Sequence, residues 1–216
     1  MIRQPSAICR LITLFIVLGL SLSSGLAESY RPVVSCGNHH TIQFTEFAKD
    51  VALSQEKASG LFHTIPNFPI VRQERQWCAL ASIEMVARYY GFNIDQLQVA
   101  LEADIPYEEG MSLKAILQYF ERLGILMLTI DHHYGGDLES VKDLIDKQIP
   151  MIWLHHVPTD KGWLPHAAVV IGYSDVLRRI VVADPAYGHE VILSYKEFLR
   201  RWYRTNNLMI IVTSKL

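Results

Sequence analysis

Four residues carry the side chains that nucleophilic acyl chemistry requires, and their spacing decides whether they can meet. Cys78 precedes a run in which Ile83, Val86, Ala87 and Tyr90 recur at helical spacing before Gly91, so its thiol lies at or near a helix start. Unpaired backbone N–H groups and the positive end of the helix dipole favour thiolate over thiol there. Cysteine among Ala79, Leu80 and Ala81 is also what an inert buried site looks like, so Cys78 needs partners before it counts as a nucleophile. His166 is the first. It opens the apolar run 167–173, and the small Ala167 and Ala168 leave room for a ring that can stand as imidazolium beside a thiolate. Asp184 closes the run 180–184; the two runs read as a hairpin centred near Asp175, which sets Asp184 opposite His166. Asp184-Pro185 is equally the mark of a strand-ending turn, so the pair carries more weight than either member. Gln73, on the approach to the helix, is placed to bring its side-chain amide beside the Cys78 backbone N–H as donors for a developing oxyanion, whereas Gln76 is expected to point outward.

The elements that must position these residues follow from the periodicity. Ile70 to Gln73 reads as a short strand leading into the Cys78 helix. Two amphipathic helices follow, one over 95–103 and one opened by Ser112, carrying Leu113, Ile116, Leu117 and Phe120 and ended by Gly124. Strands then dominate at 125–130, 151–154, 166–173, 180–184 and 208–213. A helix opened by Asp137 and a short helix over Phe198 and Trp202, with Ser194 and Glu197 as a capping box, interrupt them. Helices first and antiparallel strands later give an α+β fold. Residues 107–111 and 155–165 are left as loops, where substrate pockets would be shaped.

Residues 1–27 have the form of a secretory signal, with Arg3 and Arg10 ahead of a run of apolar residues too short to span a membrane and small residues at 25–27. The expected organisation is a signal peptide at 1–27, an N-terminal extension of unassigned role at 28–64 and one catalytic-size domain at 65–216, the mature chain being periplasmic or extracellular. A lipid anchor at Cys36 is disfavoured because Glu28 and Arg31 separate it from the apolar run. With 20 basic and 22 acidic residues the net charge is −2, so nothing in the chain-wide charge would hold nucleic acid or anionic lipid. Cys9 leaves with the signal. Cys36 and Cys78 then permit one disulfide or two separate thiols. Cys36 sits in a polar loop, Ser35-Cys36-Gly37-Asn38, with nothing to fix it beside the helix start, so the bridge is not the expected resting state. No cofactor or metal is expected: His39-His40, His132-His133, His155-His156 and His189 lack cysteine or carboxylate partners at ligand spacing.

The segments 73–82, Tyr89-Tyr90-Gly91, 166–173 and Val182-Ala183-Asp184-Pro185 together resemble the papain-like cysteine peptidases that process bacteriocin leaders, and their stand-alone relatives, over about residues 65–213. The resemblance implies a papain-like fold with Cys78 as nucleophile, His166 as general base, Asp184 as its orienter and Gln73 as oxyanion donor, acting on a peptide or protein substrate. Many relatives follow the nucleophile with Gly-Pro-Ala, whereas Ala79 and Leu80 narrow the space here. The leader-processing enzymes are fused to membrane-spanning exporters, for which this chain shows no segments, so a double-glycine leader is not implied. Transamidation on the same four residues, and a non-catalytic peptide-binding domain, are the competing readings.

Overall fold

The computed structural model describes residues 60–106, 109–160 and 162–213. The signal reading of 1–27, most of the extension at 28–64, His39, His40 and Cys36 lie outside the described residues. The elements of the described residues in chain order are β1 (His63–Thr64), α1 (Cys78–Tyr89), α2 (Gln96–Glu102), α3 (Leu113–Arg122), β2 (Leu126–Ile130), α4 (Leu138–Asp146), β3 (Met151–Thr159), β4 (Gly162–Ser174), β5 (Arg179–Asp184), β6 (His189–Ser194), α5 (Tyr195–Trp202) and β7 (Met209–Thr213), with a 3-10 turn, Tyr203–Thr205, after α5. The strands form one antiparallel sheet in the order β2-β7-β3-β4-β5-β6, and β1 adds to the inner end of β4. This is the α+β architecture expected from the sequence.

Local signals act where the sequence places them. Asp95, Ser112, Asp137 and Ser194 each cap a helix by accepting from the backbone N–H three residues on. Glu197 completes only half of its box, because its carboxylate turns to Arg200 and Arg201. Helix α1 is different: Trp77 stands at its N-cap and supplies no side-chain cap. From Ala79 to Ala87 every residue of α1 is buried, and the helix packs on β4, so the thiol end is held by the core rather than by its own cap. Gly91 ends it with φ +86, a conformation that costs other residues strain.

Three details depart from the sequence reading. Residues 70–73 are not a strand; their backbone is held by tertiary hydrogen bonds instead. The segment 155–165 belongs not to a loop but to a long hairpin, paired from His155↔His166 out to Thr159↔Gly162, because polar and aromatic residues there can still satisfy a ladder. Strand β6 was not anticipated, since 189–194 carries no strict alternation, and β5 recruits it through its free edge.

Gly172 shows why the apolar run of β4 contains a glycine. It faces Thr64 of β1 and Val181 of β5, and a Cβ at this position would lie 2.7 Å from Thr64 Cγ2 and 2.8 Å from the His63 carbonyl oxygen. Gly172→Ala is therefore expected to destabilise the protein by about 1–3 kcal/mol, read as a lower urea midpoint at unchanged m-value, because β1 must move away. An unshifted midpoint would mean that β1 contributes nothing to stability.

Candidate active site

Cys78 is the first residue of α1, and its sulfur lies where the helix start meets the middle of β4. The backbone N–H groups of Ala79 and Ala167 and the ring of His166 all hydrogen-bond to it. Burial alone would push the thiol up; the His166 bond and charge, with the two backbone donors, outweigh it and leave the thiol below its ordinary range. The uncapped end of α1 is thus used by the thiol itself. Cys78 is a free cysteine.

His166 stands between sulfur and carboxylate. Its Nε2 donates to Asp184 Oδ1 at 2.8 Å, and both side chains are more than nine-tenths buried, which leaves Nδ1 for the thiol. Burial disfavours the imidazolium, but the bonds to Asp184 and Cys78 and their charges raise its pKa to about 9. Asp184 also performs the strand-ending role that its Asp-Pro sequence suggests: Oδ1 accepts from the Ala186 N–H at 3.0 Å, and its carbonyl accepts from Gly188 at 2.9 Å.

The pair meets by a different register from the one expected. Val169 pairs with Ala183 and Val170 with Val182, then the ladder slips so that Gly172 pairs with Val181, leaving Ile171 as a bulge. The hairpin turn centres between Val176 and Leu177, and the register carried outward sets Asp184 across from Ala168. His166 and Asp184 therefore meet on the diagonal, two residues apart on one face, rather than directly opposite.

Gln73 lies beside this pair. Its backbone N–H donates to the Pro185 carbonyl at 2.8 Å, which ties the approach to α1 onto the residue after Asp184. Its side-chain nitrogen donates to the Arg75 carbonyl, while its Oε1 is buried with no hydrogen-bond partner. An amide has two donor hydrogens, so one remains for another acceptor. Gln76 is exposed.

Two residues near this centre were missed from sequence. Gln96, in the first turn of α2, clamps the backbone on either side of Gln73: Oε1 accepts from the Glu74 N–H at 2.8 Å and Nε2 donates to the Arg72 carbonyl at 2.9 Å. Behind it, buried Glu84 accepts from the Gln96 N–H at 2.9 Å and pairs with Arg88 at 2.8 Å. No periodicity reveals a contact 22 residues apart in sequence. The other is His155, which pairs with His166 across β3 and β4, 1% exposed, its ring edge-on to that of His166 at 5.1 Å. It lies flat on Trp153 at 3.4 Å, and Trp153 in turn stacks on Phe198 of α5. Burial, then the charge of His166, push His155 down to about 2, so a neutral ring supports the charged one. Its adjacency to His166 was available only through the strand register.

The Peptidase_C39 like family matches residues 65–210. Among solved structures, the peptidase domain of Streptococcus ComA, a bi-functional ABC transporter of a quorum-sensing pathway, is similar at 20% identity and TM-score 0.56, over 69% of this chain and 100% of that one. A double glycine motif protease from an AMS/PCAT transporter, determined with the leader peptide, is similar at 19% identity and TM-score 0.50, over 68% and 91%. Xylellain, a cysteine protease from Xylella fastidiosa, is similar at 11% identity and TM-score 0.52, over 72% and 87%. Among curated proteins none matches the chain. The fold is that of the papain-like cysteine peptidases, and by the match over 65–210 the chain belongs to the Peptidase_C39 like family.

Proposed function

We propose that this protein is an exported cysteine peptidase that hydrolyses peptide or amide bonds with Cys78 as nucleophile, His166 as base and acid, Asp184 as the group that orients His166, and Gln73 as an oxyanion donor. One observation carries the reading: an unbroken run of hydrogen bonds from the Cys78 sulfur through His166 to Asp184, at the uncapped start of a buried helix. Family membership supports it, and the relative determined with its leader peptide supports a peptide substrate.

The chemistry follows from the charges. The thiolate attacks the carbonyl carbon, and the oxygen that gains the electron pair is met by the Gln73 amide and backbone donors at the α1 start. Collapse breaks the C–N bond, with His166 giving its proton to the leaving amine. Water then attacks the thioester, His166 takes its proton, and the acid leaves as Cys78 is restored. The thiolate–imidazolium pair exists above the lowered pKa of Cys78 and below about 9, where His166 loses its proton.

Alkylation by iodoacetamide tests this directly. Thiolate reactivity is expected to persist well below the ordinary thiol range, with a change of rate near pH 9 as the imidazolium discharges. Asp184→Ala should move that limb downward, because the Asp184 bond is the largest contribution raising His166. A Cys78 that alkylates only above about pH 8, as an ordinary thiol does, would remove the enzyme reading.

Gln73→Ala is expected to lower kcat by roughly 10² to 10³ with little change in KM. Gln96→Leu should act in the same sense at about tenfold, since it frees the backbone on both sides of Gln73 without touching the substrate, and Gln76→Ala should do far less. A Gln96→Leu effect confined to melting temperature would leave Gln96 a structural residue only. Export rests on residues 1–27, and intact-mass measurement of the secreted protein should find a chain beginning near Glu28.

A further inference from the structure

Outside the catalytic run, the molecule has an open groove of about 850 Å³ between α5 and the outer part of the β3–β4 hairpin. The hairpin contributes His156 and Trp163 to its wall; α5 contributes Lys196, Leu199 and Arg200; and the 3-10 turn contributes Tyr203 and Arg204. Residues 195–205 hold Lys196, Arg200, Arg201 and Arg204 against a single carboxylate, in a chain whose net charge is −2. That carboxylate, Glu197, is taken by Arg200 at 2.8 Å and Arg201 at 2.6 Å. The guanidinium of Arg204 lies 3.7 Å from the centre of the Trp163 ring and that of Arg200 4.6 Å from it. Stacking on indole holds the Arg204 guanidinium in place while its N–H donors stay available at the rim, a geometry suited to carboxylates, whereas Arg200 already gives Nε and Nη2 to Glu197 and adds mainly its charge. Tyr203 is 73% exposed and Leu199 37%, so apolar surface adjoins the cations.

We propose that this groove docks an acidic segment of the peptide substrate that also carries apolar side chains, at a distance from the bond to be cleaved. The proposal rests on the peptidase reading for the cleavage of a docked chain, but not for the docking itself. Charge complementarity selects the occupant. The basic patch covers one short helix and one turn on an otherwise acidic molecule, too small to track a phosphate backbone, and its cations alternate with Leu199, Trp163 and Tyr203. Trp163 is three residues from His166 on β4, about 10 Å along the strand; the odd spacing turns their side chains to opposite faces, so a substrate segment reaching from groove to site passes around the edge of the two-stranded hairpin.

The test uses the full chain as Cys78→Ala, so that bound peptide stays intact, and fluorescence anisotropy with a fluorescein-labelled peptide of alternating glutamate and leucine. Binding is expected, weakening about tenfold as NaCl rises from roughly 0.05 to 0.5 M. It should weaken at least about tenfold on adding K196E and R204E, and Lys196→Glu alone, at an exposed position, should shift it in the same direction. A lysine–leucine peptide of the same length should not bind. Equal binding of the two peptides, or binding that survives charge reversal, overturns the proposal. So does tighter binding to phosphatidylglycerol vesicles than to the peptide, which would make the groove a membrane contact. Alkylation of Cys78 is measured separately in K196E/R204E with the thiol retained. If docking fails while Cys78 reacts as a thiolate, the groove is misassigned and the peptidase reading stands; the converse separates the two the other way.

Discussion

Cys78→Ala is expected to abolish turnover, by roughly 10⁶-fold for the loss of a triad nucleophile, while changing stability by no more than about 1 kcal/mol. The sulfur is the one group that can form the acyl intermediate, and nothing else at the start of α1 can replace it. The fold should tolerate the change because α1 is anchored by the buried residues from Ala79 to Ala87 rather than by its first side chain. The His166–Asp184 bond does not pass through sulfur and should persist. The paired readout is hydrolysis of a peptide substrate, found by comparing peptide termini in cultures expressing wild type and variant, and the thermal midpoint. Unaltered cleavage in the variant would sink the mechanism.

His166→Ala should be nearly as severe, for two separable reasons. Without the ring, the strongest influences lowering the Cys78 pKa disappear and burial is left to raise it, so alkylation at about pH 6 should fall sharply. The leaving amine also loses its proton donor, so turnover should fail even where the thiolate forms at high pH. Asp184→Asn is expected to retain substantial activity, because the His166 ring needs an acceptor to hold it, and Asp184→Ala is not. Equal loss in both would make the charge of Asp184 the dominant contribution. Substantial activity in His166→Ala would transfer the base role elsewhere. The neighbouring His155 is a poor substitute, since its pKa is pushed down to about 2 and its place is fixed against Trp153.

Much of the site was legible because its geometry is local. A thiol at a helix start is visible in the apolar spacing of Ile83, Val86 and Ala87, and a strand after His166 is visible in the run 167–173, although that strand begins at Gly162 and carries His166 within it rather than at its opening. That His166 and Asp184 lie on neighbouring strands needs only that two adjacent runs form a hairpin. The diagonal pairing that brings them together needs the Ile171 bulge, which no pattern of apolar residues announces. The long β3–β4 hairpin escaped notice for a related reason: Trp163, Pro165 and His156 break the alternation expected of a strand, yet the ladder closes over them.

The sequence by itself determined the α+β class, the helix caps and the thiol at the start of α1, because each depends on neighbours within a few residues or one turn. Only the tertiary structure decided that Gln96 clamps the Gln73 segment, that a neutral His155 backs His166, and that Lys196, Arg200 and Arg204 line one groove with Trp163. Those contacts join residues far apart in sequence, and their partners are chosen by strand order and register. Hydrophobic burial sets strand order and register over the whole sheet at once, so no single segment encodes them.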